Sequence, residues 1–415
     1  MQKVCPCKVT RCSKFDSQVK HECPRIVIAT LSVSELCSTF PKELQLSIEK
    51  IKKTEEQFRW ESYVHKMIGD TLYIVGADRR GTVFGIYDLC RQMGVSPWYF
   101  WADVPIRKKA FFELSINYEK VDWPDVQYRG IFLNDEEELE AWAKVHTVDG
   151  TIGPCTYEKI YELLLRLKGN YIWPAMHVNC FNENPENARL AERMGIVVGT
   201  SHCDMLLRSN QNEWKPWLQK KGYNDTVYDY SIEGRNREQI HEYWRESVET
   251  NRDYEVCYTV GMRGIHDSGF VTKCIEQNET LTEQEKKEKK IELLGQVISD
   301  QRQILKEVLG EERGARAVQT FIPYKEVLDL YDGGLEVPED ITLIWVDDNF
   351  GYMRRYPNQK ERKRSGGNGL YYHASYWAHP GMSYLFFNSI PLAQTGNELK
   401  KCWESGIQKM WVLNI

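Results

Sequence analysis

Eight short runs rich in β-forming residues recur between residue 126 and the end of the chain, and most are followed by a helical pattern. The runs lie at 126–133, 170–176, 196–202, 255–264, 319–324, 341–348, 369–376 and 408–415. Between them, apolar residues at helical spacing predict helices over 156–168, 239–250 and 281–309. Strands that alternate with helices form a parallel sheet, and eight of them indicate a (β/α)8 barrel of the TIM type. The sequence therefore predicts an α/β fold with a catalytic barrel over residues 123–415.

The first 122 residues predict a small and incomplete α/β domain in front of the barrel. Runs at 25–30 and 72–76 are typical of strands, and residues 83–93 have the spacing of a helix that stops at Gly94. This is fewer strands than a complete domain of this kind would have. We expect residues 1–24 to be a disordered leader.

Composition excludes several classes of partner. The formal net charge of -6 gives no electrostatic attraction to nucleic acid or to an anionic membrane surface. No run approaches the ~18–20 apolar residues that span a bilayer. The first residues lack the pattern of a signal peptide, so localisation stays open. The cysteines near the start do not have the paired spacing of a zinc site; they are Cys5, Cys7, Cys12 and Cys23.

Polar and ionisable residues follow the predicted strands, at the end of a barrel where reactive groups collect. A single polar strand end means little, but packing alone does not need a charge-rich rim on one face. We therefore predict a functional cleft there. Its candidate residues are Asn134, Asp135, Glu136, His177, Asn179, Ser201, His202, Arg263, His266, Asp267, Tyr324, Lys325, Glu326, Asp347, Asp348, Asn349, Tyr371, His373, Tyr376 and Asn414.

The residue types in this rim favour acid–base chemistry on a sugar. There is no GxSxG nucleophile elbow, no HExxH metal motif and no phosphate-binding glycine loop that opens a helix. A pair of carboxyl groups, with Tyr, His, Asn and Arg around a hydroxylated acidic ligand, is typical of a glycoside hydrolase that acts on a uronic acid. We predict no metal and no cofactor. A metal-dependent barrel hydrolase stays an alternative, because ligands from separate strands leave no spacing signal.

Several motifs, in order, resemble those of glycoside hydrolase family 115, the xylan α-1,2-glucuronidases. The resemblance covers roughly residues 25 to 415, and together these motifs are highly specific. The motifs are GIYD at 85–88, GVSPWY at 94–99, YRGIFLNDE at 128–136, NYIWPAM at 170–176, GTSH at 199–202, GMRGIHD at 261–267, FIPYKEV at 321–327, DDNFGY at 347–352 and YYHASYW at 371–377.

The resemblance implies removal of glucuronic acid, or its 4-O-methyl form, from xylan with inversion. Asp267 and Glu326 match the two catalytic carboxylates, one as acid and one as base, and inversion places them roughly 6.5–9.5 Å apart. Arg263 suits the uronate carboxylate, because a planar guanidinium binds a carboxylate with two hydrogen bonds. Other matched positions imply substrate contacts, although Glu136 also suits loop organisation and His373 and Tyr376 also suit the core. These positions are Glu136, Asn179, His202, Asp347, Asn349, Tyr371, His373 and Tyr376.

Two features qualify the resemblance. Asp204-Met205 follows His202-Cys203 where relatives often carry Glu-Pro, which concerns specificity more than reaction class. The chain also ends at the predicted eighth strand, without the helical and β-sandwich domains through which the family forms dimers. We therefore expect an exposed seam, lower stability and weak or absent activity. The expected partner is glucuronoxylan or its oligosaccharides, the alternative is a non-catalytic carbohydrate-binding barrel, and family members are commonly exported.

Overall fold

Two separate β-sheets organise the protein in a computed structural model that describes residues 24–33, 39–134, 138–374, 376 and 388–415. The predicted leader, its four cysteines and Glu136 lie outside the described residues. Contacts divide the chain into one unit of Met1–Gln127 with Lys159–Asn170 and another of Tyr128–Glu158 with Tyr171–Ile415. Each sheet lies within one of these units.

The first unit contains a four-stranded mixed sheet. Its strand order is β1-β3-β2-β4, with β1 parallel to β3 and the other pairs antiparallel. Two of these strands, β2 and β4, are absent from the sequence-based prediction. The elements are β1 (Arg25–Thr30), α1 (Lys42–Glu49), β2 (Tyr63–Ile68), β3 (Thr71–Gly76), α2 (Arg79–Gln92) and β4 (Glu119–Asp122).

Alternation along β3 distributes its side chains between two small cores. Tyr73 and Val75 pack with Leu44 and Ile48 of α1, whereas Leu72 and Ile74 belong to the cluster that contains Leu89 of α2. Successive residues of a strand point to opposite faces, so one buried strand supports a helix on each side. The sheet of the first unit therefore lies between α1 and α2, because the side chains of β3 alternate between the two faces of the sheet.

The second unit contains an eight-stranded parallel sheet in which each strand pairs with its neighbours in sequence. The strand order is β7-β6-β5-β12-β11-β10-β9-β8, and an isolated parallel bridge joins Val198 to Val256 at its two ends. All eight predicted runs form strands, with shorter bounds, and the arrangement fits a TIM-like barrel. The strands are β5 (Tyr128–Phe132), β6 (Tyr171–Trp173), β7 (Val197–Val198), β8 (Tyr258–Thr259), β9 (Gln319–Phe321), β10 (Thr342–Val346), β11 (Asn368–His373) and β12 (Met410–Asn414).

Helices fill most of the intervals between these strands. The longest, α9, begins where Thr282 and Glu285 satisfy each other's backbone amides in a capping box. No helix among the described residues is long and apolar enough to cross a membrane. The helices are α3 (Glu138–His146), α4 (Pro154–Arg166), α5 (Pro185–Met194), α6 (Trp214–Lys221), α7 (Arg235–Asn251), α8 (Lys273–Glu276), α9 (Glu283–Leu309), α10 (Glu311–Arg316), α11 (Glu326–Asp332) and α12 (Leu392–Glu404).

Large aromatic side chains fill the interior of the curled sheet. Tyr171, Trp173 and Tyr371 are buried in one cluster, and Trp173 Nε1 donates to the Tyr171 hydroxyl at 2.9 Å. Gly199 provides space for the Tyr171 ring, because a Cβ there would collide with its hydroxyl group, and a Cβ at Gly130 would collide with the Tyr171 backbone carbonyl. Above this packed interior, a cavity forms at the carboxyl ends of the strands.

Candidate active site

A cavity of about 330 Å³ opens at the carboxyl ends of the strands of the second unit. Its walls come from β5, β11 and β12 and from the segments that follow β6, β7, β8 and β9. The polar rim predicted from the sequence therefore does converge on one place. The lining residues are Phe132, Asn134, Met176, His177, Ser201, His202, Cys203, Asp204, Asn210, Gln211, His266, Asp267, Tyr324, Tyr371, His373, Tyr376 and Asn414.

Arg263 contacts both candidate catalytic carboxylates. Its Nε donates to Glu326 Oε1 at 2.9 Å and its Nη2 donates to Glu326 Oε2 at 2.7 Å. Its Nη1 contacts Asp267 Oδ1. The Arg263 side chain is only 2% exposed, so the guanidinium is committed to these two acids and does not line the cavity.

Asp267 is surrounded by donors. In addition to Arg263, Lys325 Nζ donates to its Oδ2 at 2.7 Å, and His202 Nε2 lies 3.2 Å from its Oδ1. The Cys203 thiol donates to the same Oδ1 at 3.6 Å. Two cations and two neutral donors thus hold the Asp267 carboxylate in one orientation, which favours its charged form.

Left-handed backbone conformations aim these side chains. His266 and Asp267 have φ of 55° and 60°, and Lys325, directly before Glu326, has φ of 50°. Each costs of order 1–3 kcal/mol for a residue with a Cβ, so surrounding contacts must hold it. Asn210 provides two of them, accepting from His266 N at 3.3 Å and donating to Gly264 O at 3.0 Å.

Burial keeps the His202 imidazole neutral. Loss of solvent, followed by the nearby charges of Arg263 and Lys325, holds the pKa of His202 well below its usual value. Burial likewise raises the pKa of the Cys203 thiol, so Cys203 stays protonated and acts as a donor. Cys203 is therefore not prepared to act as a nucleophile, because that role needs a thiolate.

A second group of fixed polar side chains forms part of the cavity wall. His373 Nδ1 lies 2.5 Å from Asp347 Oδ1, with both residues fully buried, and the Tyr324 hydroxyl donates to Asn349 Oδ1 at 3.1 Å. A carboxylate that contacts Nδ1 fixes the orientation of the imidazole ring. Asp347 and Asn349 therefore act behind His373 and Tyr324 and do not themselves line the cavity.

The predicted residues thus divide by position. Asp267, His202, Tyr371, His373 and Tyr376 line the cavity, while Arg263, Glu326, Asp347 and Asn349 reach it through contacts with lining residues or their neighbours. Asn179 does not line the cavity; its backbone carbonyl accepts from Asn212 Nδ2 at 3.4 Å. Glu136 lies outside the described residues.

Six of the residues that line the cavity are absent from the predicted site residues, Cys203 and Asn210 among them. Cys203 follows a predicted strand in an apolar context, which suggests a small buried hydrophobe. Asn210 lies in a loop with no motif, and its partners His266 and Gly264 are more than fifty positions away. Of these two residues, only Cys203 has a sequence signal for a place in the site, because it directly follows the predicted site residue His202.

One group of side chains near Asp267 has the composition of a metal site. Ligand atoms of His202, Cys203 and Asp267 lie within 4.8 Å of one another. Both Asp267 oxygens, however, already contact the cations of Arg263 and Lys325. A divalent cation there would lie next to two like charges, so these residues do not fit a resident metal.

The comparisons with known proteins assign the family. Residues 121–415 match the sequence profile Glycosyl hydrolase family 115. The chain belongs to glycoside hydrolase family 115. A solved structure described as a family GH115 4-O-methyl-α-glucuronidase with specificity for decorated arabinogalactans is 37% identical to this family 115 chain, with a TM-score of 0.81. The match covers 94% of this chain and 48% of that one, so the chain spans about half the length of that relative.

A more distant solved structure shares the fold of this family 115 chain. It is an inactive mutant of a GH20 exo-β-N-acetylglucosaminidase from Vibrio harveyi, 13% identical with a TM-score of 0.50. That match covers 95% of this chain and 66% of the other. Among curated proteins, no relative matches the chain.

Proposed function

We propose that this family 115 chain removes glucuronic acid, or 4-O-methylglucuronic acid, from polysaccharide side chains by an inverting mechanism with two carboxylates. The observation that carries the proposal is that Asp267 and Glu326 both contact the one buried guanidinium of Arg263. A shared cation fixes the two acids relative to each other. A reaction that uses one acid and one base requires both groups at defined positions.

The mechanism needs one carboxyl group on each side of the scissile bond. One protonates the leaving sugar oxygen and the other activates a water molecule for attack at the anomeric carbon. Inversion places the two groups about 6.5–9.5 Å apart, with the water between the base and the sugar. Arg263 would hold both carboxyl groups and Lys325 would hold Asp267, and the neutral His202 would orient Asp267 without adding charge.

The sugar would lie against the fixed polar wall. His373, Tyr371 and Tyr376 line the cavity and are suited to donate to or accept from sugar hydroxyls. Asp347 and Asn349 would act indirectly, by orienting His373 and Tyr324. Asn179 and Glu136 remain predictions as sugar contacts. We also take the eight-stranded sheet to be a closed (β/α)8 barrel, supported by the bridge between Val198 and Val256.

The polysaccharide has two candidates. The motifs favour glucuronoxylan, as the family resemblance implies. The 37% identical relative is described as specific for decorated arabinogalactans, which favours those as a second candidate. Dimer formation through domains beyond this chain stays a prediction, as does a non-catalytic role in carbohydrate binding.

The test is release of glucuronic acid from glucuronoxylan and from a glucuronylated arabinogalactan. It uses the 415-residue chain, a version extended with C-terminal family domains, and the variants Asp267→Asn and Glu326→Gln. We expect the extended version to release the α-linked sugar as its β anomer in NMR spectra, the 415-residue chain to do so weakly at most, and neither variant to release it. Asp340→Asn is the matched control, since Asp340 pairs with Arg302 and does not line the cavity. No release by any version, or release that survives both catalytic substitutions, would contradict the proposal.

A further inference from the structure

The charges in the candidate active site leave the substrate's own carboxylate without an obvious partner. Asp267 and Glu326 are balanced by Arg263 and Lys325, each of which is paired with one or both acids. Among the described residues that line the cavity there is no lysine and no arginine. Histidine is therefore the basic side chain that the described cavity wall offers to an anionic sugar.

Four histidines line the cavity, and two of them already have defined roles. His373 is buried against Asp347, and the buried His202 faces Asp267. The surrounding cations and burial keep His202 neutral. His177 and His266 are the other two, and both are more exposed than the first pair.

His177 and His266 lie next to each other although they follow different strands. Their ring centroids are 4.3 Å apart with 38° between the ring planes. One loop fixes both: Asn212 Nδ2 donates to His177 O at 2.8 Å, and Asn210 Oδ1 accepts from His266 N at 3.3 Å. The two imidazoles are therefore held as a pair in the same cavity wall as Asp267, which directly follows His266 in the sequence.

We propose that His177 and His266 together form the subsite that binds the carboxylate of the substrate's uronic acid, in place of Arg263. The inference rests on the proposed function, because it names how that substrate is recognised. An imidazole donates through N–H, and a protonated imidazole donates through both nitrogens, so a pair can grip one carboxylate with charge-assisted hydrogen bonds. Arg263 is then a positioning residue that holds Asp267 and Glu326.

The test compares two ligands that differ only in the group the pair would bind. Methyl α-glucuronoside carries a carboxylate where methyl α-glucoside carries a hydroxymethyl group. Dissociation constants for both are measured by NMR titration at fixed pH with the whole chain, the double variant His177→Gln/His266→Gln and the control His146→Gln. His146 stacks on Trp142 in α3 and does not line the cavity.

We expect the unaltered chain and the control to prefer the glucuronoside. The double variant should lose about tenfold in affinity for the glucuronoside, as expected for charge-assisted hydrogen bonds, and keep its affinity for the glucoside. Retained glucoside binding also shows that the variant is folded. Equal loss for both ligands, an unchanged preference in the double variant, or no preference in the unaltered chain would each overturn the inference.

The outcome is distinguishable from that of the proposed function. Histidine-dependent preference for the glucuronoside without release of glucuronic acid from polysaccharide would retain this inference and contradict the proposed activity. Release by a double variant with an unchanged glucuronoside preference would retain the activity and overturn the inference.

Discussion

Arg263 holds Glu326 with two hydrogen bonds, Nε to Oε1 at 2.9 Å and Nη2 to Oε2 at 2.7 Å, while its third nitrogen contacts Asp267. A guanidinium is planar and presents its donors in fixed directions, so it sets the orientation of both carboxylates at once. A point charge of the same sign would not do this. The geometry of the candidate acid and base therefore depends on one buried side chain.

Arg263→Lys tests this dependence. Lysine keeps the charge but cannot make the paired hydrogen bonds, so both acids should shift. We expect kcat for release of the uronic acid to fall by at least about a hundredfold, because a displacement of about 1 Å at a reacting group has an effect of that size. Steady-state kinetics on glucuronoxylan oligosaccharides measures it.

Arg355→Lys is the matched control for Arg263→Lys. Arg355 makes the same two-bond contact with the buried Glu361, at 2.9 and 2.8 Å, away from the cavity. The control should lower the free energy of unfolding by roughly 1–2 kcal/mol and leave kcat unchanged. Equal losses of activity in both variants would show that instability, and not orientation of the acids, explains the Arg263 result.

The strands could be predicted because their patterns are local. Most runs of the barrel are rich in apolar or β-branched residues and are buried on both faces, as in Thr342–Val346, so their signal does not depend on distant residues. The missed strands have mixed signals. Tyr63–Ile68 contains His65 and Lys66, and three of the four residues of the edge strand Glu119–Asp122 are charged, so neither strand alternates clearly between apolar and polar residues.

The site was predictable by residue type but not by partner. The ends of parallel strands meet, so the sequence indicates that Asp267 and Glu326 converge. It does not indicate that Arg263 reaches Glu326, which lies sixty-three positions away, or that Asn210 supports the turn at His266. Such pairings depend on how loops fold over the sheet, and a loop has no periodicity from which to infer its neighbours.

Stability should fall as the pH drops below neutrality, partly because of His202. Its pKa is held well below the usual value by burial, so the folded protein keeps it neutral while the unfolded chain takes up a proton below about pH 6.5. The unfolded state then binds more protons, and the contribution is lost at up to about 1.4 kcal/mol per pH unit. Urea denaturation at pH 7.5, 6.5 and 5.5 measures it.

His202→Asn should flatten this dependence, whereas His146→Asn, on the surface helix α3, should not. An equal slope for the unaltered chain and His202→Asn over this range would show that His202 does not contribute. His65 is a second buried histidine with a lowered pKa, so some pH dependence should persist in the His202 variant.

Removal of divalent cations should leave activity unchanged. Both Asp267 oxygens contact the cations of Arg263 and Lys325, so a metal at His202, Cys203 and Asp267 would have to displace them. We expect identical rates of uronic acid release before and after dialysis against a chelator. The metal-dependent alternative would instead be supported if the chelator abolishes activity and zinc restores it in the unaltered chain but not in Cys203→Ser.

Asn414 should contribute strongly to stability, because it joins the ends of three strands. Its Nδ2 donates to the buried Tyr371 hydroxyl at 2.6 Å, and its Oδ1 accepts from Asn134 Nδ2 at 2.5 Å. Asn414→Leu removes both bonds inside the protein, so we expect a loss of about 2–4 kcal/mol in the free energy of unfolding.

Gln408→Leu is the control, since it removes one exposed bond to Trp403 O and should cost less than about 1 kcal/mol. Urea denaturation of both variants decides the matter, and similar losses would mean that the Asn414 bonds do not tie β5, β11 and β12 together.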